Sequence, residues 1–183
     1  TAHFYGRDKK MTVSSEAELN EILKKLEQAE YVVEEVKKSE RAKKAPVPFT
    51  TSTLQQEAAN ALNFSTQKTM RLAQQLYEGI EVKGHGTVGL VTYIRTDSVR
   101  ISDEAKDSAK AYINENFGQE YVGNNFFSNK KKDIQDAHEA IRPSIITLDP
   151  EQIKDSLTKD QYLLYKLIWT RFLASQMAPA IFD

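Results

Sequence analysis

Apolar residues recur at helical spacing in five stretches of the chain and crowd together in two shorter ones. Ser15-Glu-Ala-Glu18 has the form of a capping box, and Leu19, Ile22, Leu23 and Leu26 follow on one helical face. Tyr31-Val-Val-Glu-Glu-Val36 reads as a strand, and the basic, proline-bearing run from Lys37 to Pro48 reads as a linker between domains. Thr51-Ser-Thr53 offers N-cap hydroxyls to a helix through Leu62. Ser65 opens the next, with Met70, Ala73, Leu76 and Tyr77 on one side and Gly79 as its stop. Joined by Asn63-Phe64, these two form either a helix-turn-helix or a plain packed pair. After a turn at Gly84-His-Gly86, Val88 to Ile94 reads as a strand. Ser102-Asp-Glu104 caps a helix carrying Ala105, Ala109, Tyr112 and Ile113, which ends near Gly118.

The second half is less regular. Residues 119–136 are polar, with a basic cluster at Lys130-Lys-Lys132, and Asp136 to Arg142 reads as a short turn halted by Pro143. Asp149-Pro150 reads as a cap with a first-turn proline. Thr158-Lys-Asp-Gln161 is a second capping box, opening a helix through Leu163, Leu167, Ile168 and Phe172 toward Pro179. No internal repeat is visible. The fold expected is mainly α with a small β component.

Composition narrows the class of protein. The 183 residues are 40% hydrophobic and 28% charged, which is ordinary for a globular protein with a real core. No apolar run nears the ~20 residues of a membrane span, and no signal-peptide pattern opens the chain. Cysteine is absent, excluding disulfides and thiolate metal sites and fitting a reducing cytoplasm. Net charge is −1 and the pI about 6.3, whereas free-standing nucleic-acid binders commonly exceed ~9. Any such role rests on local basic clusters or is shared with other parts of a longer protein. Thr1-Ala-His-Phe-Tyr-Gly6 reads as mid-strand and Ala180-Ile-Phe-Asp183 breaks off apolar, so a piece of a longer protein is expected.

Several motifs fail on inspection. His138-Glu139 begins like a zinc-binding H-E-x-x-H, but position 142 is Arg. Ser65-Thr-Gln-Lys68 fits S-x-x-K without its companion motifs, and no phosphate-binding glycine loop is present. Gly89-Leu-Val-Thr-Tyr-Ile-Arg-Thr-Asp-Ser98 is more informative, because an apolar strand runs out into charge and hydroxyls. Strand alternation puts Tyr93 and Arg95 on one face. A tyrosine is a weak nucleophile unless its phenolate is stabilised, and a permanently charged arginine grips phosphate oxygens two at a time. That pair suits attack on a phosphodiester. A core tyrosine beside a surface arginine accounts for the same spacing.

The segment GLVTYIRTDSVRIS closely resembles the active-site segment of bacterial type IA DNA topoisomerases. Pro48-Phe-Thr-Thr-Ser-Thr-Leu-Gln-Gln56, Lys68-Thr-Met with Ala73-Gln-Gln-Leu-Tyr-Glu-Gly79, Asp136-Ala-His-Glu-Ala-Ile-Arg-Pro143 and Leu163 to Pro179 are similar to that family's further markers, in matching order. The resemblance implies that Tyr93 is the nucleophile, taking a 5′ phosphate of single-stranded DNA, and that Arg95 positions the scissile phosphate. It places His138, Arg142, Ser98 and Arg100 at the DNA, with Thr96 and Asp97 supporting the loop. It also implies a winged-helix, CAP-like tyrosine domain over residues 49–174, with 1–48 and 175–183 as pieces of an arch. Mg²⁺ would be bound by a Toprim domain that this chain lacks, so the chain alone would be inactive and would hold no metal itself. The implied partners are single-stranded or negatively supercoiled DNA and the remaining Toprim and arch domains, with no membrane; the implied place is the cytoplasm, at the nucleoid. A DNA-binding module without chemistry on residues 53–78, or a purely structural domain, is the competing reading.

Overall fold

The computed structural model describes residues 5, 10–33, 35–36, 38–125, 127 and 138–182. In chain order the elements are α1 (Glu16–Glu27), β1 (Arg41–Lys43), α2 (Thr51–Leu62), α3 (Thr66–Glu78), β2 (Ile80–Val82), β3 (Gly86–Val88), α4 (Asp103–Asn116), α5 (Lys159–Gln176) and β4 (Ala180–Phe182). The fold is mainly α with a small antiparallel β component, as the periodicity predicts. The chain divides into two compact units, Thr1–Ser39 and Glu40–Asp183. No helix among the described residues is long and apolar enough to cross a membrane.

In the first unit, Ser15 caps α1 by accepting the Glu18 N–H, and the Glu18 carboxylate reaches back to the N–H of Ser14. Among the described residues of 31–36, the expected strand is not formed. Tyr31, Val32 and Val33 are exposed outside any strand, and the Tyr31 hydroxyl donates to the Leu26 carbonyl at 3.0 Å, folding this residue back toward α1. β-propensity alone does not make a strand where no ladder forms.

The second unit is built around α5. Thr158 and Gln161 complete its capping box, and Leu164, Tyr165, Ile168, Trp169 and Phe172 are buried along it. Leu163 and Leu167, expected in the core, pack at its margin. Burying an aliphatic or Phe side chain of this kind is worth roughly 1.5–3 kcal/mol. The polar tips are satisfied: the Tyr165 hydroxyl donates to the Leu148 carbonyl at 2.7 Å and the Trp169 indole to Ile146 at 2.9 Å. Helices α2, α3 and α4 all pack on α5.

Helix α2 begins one residue earlier than its hydroxyl run predicts. Thr50, not Thr51–Thr53, is the N-cap, in a reciprocal capping box with Thr53. Asn63, in the left-handed conformation, turns the chain into α3, which Ser65 caps and Gly79 ends at φ 132°. A hairpin follows, with Ile80 opposite Val88 and Val82 opposite Gly86.

Beyond Val88 the expected strand to Ile94 does not continue as a ladder. Leu90 gives its N–H to the Leu76 carbonyl at the end of α3, and Val91 makes a single antiparallel bridge with Pro143. The turn expected at 136–142 is corrected as well. Asp136 and Ala137 lie outside the described residues, as do Lys130-Lys-Lys132, but 138–142 run without a turn, and Ile141 bridges Phe49. Asp149 caps an irregular turn by accepting the Glu151 N–H, and only a 3-10 turn at Lys154–Ser156 follows it. β1 lies within the stretch read as a linker and pairs antiparallel with β4, Arg41 opposite Phe182.

Candidate active site

The segment carrying Tyr93 is held by three other parts of the chain. Gly89 admits it to the end of α3: a Cβ there would sit 2.8 Å from the Tyr77 carbonyl oxygen, so no larger residue fits without a shift. Leu90 N–H then bonds the Leu76 carbonyl at 2.7 Å, and the Leu90 carbonyl accepts from Ser144 N–H. Thr92 laces the segment to 140–142. Its N–H donates to the Arg142 carbonyl, and its hydroxyl donates to the Ala140 carbonyl at 2.8 Å while accepting the Arg142 N–H at 3.0 Å. From the other side, the Thr51 hydroxyl donates to the Ile94 carbonyl at 2.7 Å and accepts the Thr96 N–H at 2.9 Å. Buried Leu90, Val91 and Ile94 anchor this backbone in the core.

Beyond that anchor, burial alternates: Tyr93, Arg95 and Asp97 are exposed, while Ile94, Thr96 and Ser98 are buried. Tyr93 and Arg95 therefore emerge on the same, solvent-facing side, as alternation predicts, although the segment is not a regular strand. The Tyr93 ring is 41% exposed and sits between two aromatic neighbours. His138 stacks on it with centroids 5.4 Å apart and planes 26° apart. Tyr77 meets it edge-on at 5.7 Å and 68°. Edge-to-face pairs of this kind are worth ~0.5–1.5 kcal/mol beyond area burial. Beside this row lies an open cleft of about 420 Å³, lined by Thr50, Thr51, Ser52, Arg95, Thr96, Asp97 and His138. Arg95 makes no ion pair among the described residues, so its guanidinium is available to an incoming anion.

Of the expected site residues, Ser98, Arg100 and Arg142 do not line the cleft. Thr96 accepts the Ser98 N–H at 3.0 Å, and Ser98 in turn accepts the Arg100 N–H at 3.1 Å. Ser98 is 1% exposed and holds backbone rather than facing solvent. Arg142 is committed internally, its Nε and Nη2 on the Glu139 carboxylate at 3.0 and 2.6 Å and its Nη1 on the Pro143 carbonyl at 3.0 Å. It borders a different cavity, of about 320 Å³, together with Ser102, Ser144 and Thr147. Arg100 is half-buried, its Nε without a hydrogen-bond partner. Glu139 also accepts the Ser102 N–H at 2.5 Å. Burial pushes the Glu139 carboxyl up, but the bonds from Ser102 and the charge of Arg142 outweigh it and hold the group below the usual carboxylate range.

A sequence model described as DNA topoisomerase matches residues 2–183. The chain belongs to this DNA topoisomerase family. Among solved structures, full-length topoisomerase I from Thermotoga maritima is similar at 46% identity with a TM-score of 0.72. The match covers 96% of this chain and 27% of that one, so the present chain spans much less than the relative's whole length.

Three residues that touch or hold Tyr93 are given no part in the site by the sequence. Tyr77 is placed by its spacing on one side of α3 with Met70, Ala73 and Leu76, yet it lies 39% exposed against Tyr93. Thr51 is assigned to a cap, whereas it pins the Tyr93 segment through its hydroxyl. Thr92 lies in the segment around Tyr93, but nothing in the sequence marks it as the residue that laces that segment to 140–142. The topoisomerase residues described here do not fit a Mg²⁺ site: no three His, Asp or Glu side chains come together among them, and both Glu139 oxygens are engaged by Ser102 and Arg142.

Proposed function

We propose that this chain is the tyrosine-bearing part of a type IA DNA topoisomerase, acting on single-stranded or negatively supercoiled DNA. The observation that carries the reading is the placement of Tyr93. Its ring is exposed and stacked on His138, beside a cleft lined by Arg95, which has no ion pair among the described residues, while its flanking backbone is held by Thr51 and Thr92.

In the proposed reaction the Tyr93 hydroxyl oxygen attacks a DNA phosphorus. The Oη–P bond forms, the bond from phosphorus to the 3′ oxygen breaks, the phenolic proton leaves to solvent, and the departing 3′ oxygen takes up a proton. The 5′ phosphate then stays on Tyr93. Attack by the 3′ hydroxyl reverses each bond change, so the energy of the phosphodiester is conserved and no ATP is needed. Arg95 holds the non-bridging oxygens, whose charge grows in the transition state. His138 packs the attacking ring and lines the same cleft.

The order α2, α3, then the β2–β3 hairpin supports a winged-helix-like arrangement for residues 49–174, with 1–48 and 175–183 belonging to an arch. The share of the Thermotoga maritima structure left uncovered has room for the Toprim and remaining arch domains. A Mg²⁺ held by Toprim carboxylates would stabilise charge on the phosphate and 3′ oxygen. The 183-residue chain by itself is accordingly expected to fold without relaxing DNA, and the whole enzyme to work in the cytoplasm at the nucleoid. Relaxation of negatively supercoiled plasmid by the full-length protein tests the reading. Tyr93→Phe is expected to abolish relaxation with the fold intact, and relaxation by that variant would refute it.

A further inference from the structure

Tyr77 has no part in the chemistry just described, yet its ring touches the attacking residue. It lies in the last turn of α3, where the Tyr93 segment docks most closely: Gly89 leaves no room for a Cβ against the Tyr77 carbonyl, and Leu90 bonds the carbonyl of Leu76 next to it. That close approach brings the two rings to 5.7 Å, edge to face. The Tyr77 hydroxyl makes no hydrogen bond among the described residues, so whatever this side chain contributes at the site comes through its ring.

We propose that Tyr77 is a positioning residue that fixes the Tyr93 ring against His138, so that the phenolic oxygen is aligned for attack. The proposal rests on the reading of Tyr93 as nucleophile. Tyr93 is 41% exposed, and its ring contacts among the described residues are the stacked His138 and the edge-on Tyr77. With only His138 left, the ring is free to slide in the stacking plane and to visit other χ1 wells. In-line displacement requires the attacking oxygen within ~3–3.5 Å of phosphorus along one direction, and a misplacement of about 1 Å costs up to ~10²-fold in rate. Tyr77 does not line the cleft that holds Arg95, so its removal is expected to be read in alignment rather than in the hold on DNA.

The test is single-turnover formation of the covalent adduct on a labelled single-stranded oligonucleotide, with the full-length protein and with the oligonucleotide Kd measured in parallel. Tyr77→Leu is expected to slow adduct formation by about tenfold or more at saturating DNA, with Kd unchanged within about twofold. Tyr77→Phe, which keeps the ring, is expected to restore the wild-type rate. If Tyr77→Leu does not fold, Tyr77→Met is read in the same way. A wild-type rate in the ring-less variant, a loss expressed wholly in Kd, or a loss that Phe does not rescue each overturns the proposal. Tyr93→Phe is run alongside: an adduct surviving there sinks the reading of Tyr93 itself, a result distinct from any outcome at Tyr77.

Discussion

His138 lies flat against Tyr93, their ring centroids 5.4 Å apart, and the same imidazole lines the cleft that Arg95 enters. Packing and polarity are thus combined in one side chain, and substitution can separate them. His138→Phe keeps an aromatic ring and removes both nitrogens, whereas His138→Ala removes the ring as well. Adduct formation is expected to slow by about 10–10²-fold in the first variant and further in the second. A wild-type rate for His138→Phe would reduce this residue to a packing surface.

Arg95 and Arg142 are both arginines of expected site segments, but Arg142 is bound to Glu139 and Pro143, whereas Arg95 has no ion pair among the described residues. Arg95→Lys keeps the charge and loses the planar two-pronged grip. It is expected to lower the cleavage rate by at least about tenfold, well beyond the effect of Lys at Arg71, which is exposed on α3 and does not line the cleft. Equal effects of the two substitutions in a cleavage time course would show that net charge alone matters.

Glu139 predicts a pH dependence of stability. Its folded carboxyl titrates below its ordinary value, because Ser102 and Arg142 outweigh the cost of burial. Its contribution is therefore fully present above the unfolded carboxyl's pKa of ~4.3, and it is lost as pH falls through the lower folded value. Glu139→Gln is expected to lower stability by ~1–3 kcal/mol at neutral pH, since it leaves Arg142 partly buried without its counter-charge. Melting temperatures of the two proteins should converge in strong acid. A gap that stays constant down to pH ~2 would contradict the assignment.

Gly89→Ala tests the docking of the Tyr93 segment on α3. The added Cβ meets the Tyr77 carbonyl oxygen at 2.8 Å, and the object it meets is backbone, which cannot swing away. A loss of ~1–3 kcal/mol in chemical denaturation is expected, together with slower cleavage as Tyr93 is displaced. An unaltered midpoint would mean that the contact is looser than this geometry implies.

Much of the helical scaffold could be read directly from hydroxyls and spacing. Ser65, Ser102 and Thr158 cap the helices they were expected to cap, because a cap is a local bond between a side chain and a nearby N–H. Strands were less legible. Tyr31–Val36 has strand composition but no ladder, and 41–43 forms a strand with 180–182 that no local signal announces. Pairing depends on residues far along the chain, which periodicity does not see. The site divides in the same way. Tyr93 and Arg95 share a face because alternation is local, whereas the contact of Tyr77 with Tyr93 and the clamp from Thr51 arise from tertiary docking. Arg142 carries the same sequence signal as a phosphate-binding arginine, and only the structure reveals that Glu139 has claimed it.

The central claim is that Tyr93 becomes covalently joined to DNA. The most direct measurement incubates the full-length protein with 5′-labelled and 3′-labelled single-stranded oligonucleotides, stops the reaction with denaturant, and looks for label that migrates with the polypeptide. Wild type is expected to retain the fragment joined through its 5′ phosphate, with the modified peptide containing Tyr93, and Tyr93→Phe is expected to retain none. An adduct of undiminished yield in Tyr93→Phe, or one mapped to a peptide lacking residue 93, would contradict the account.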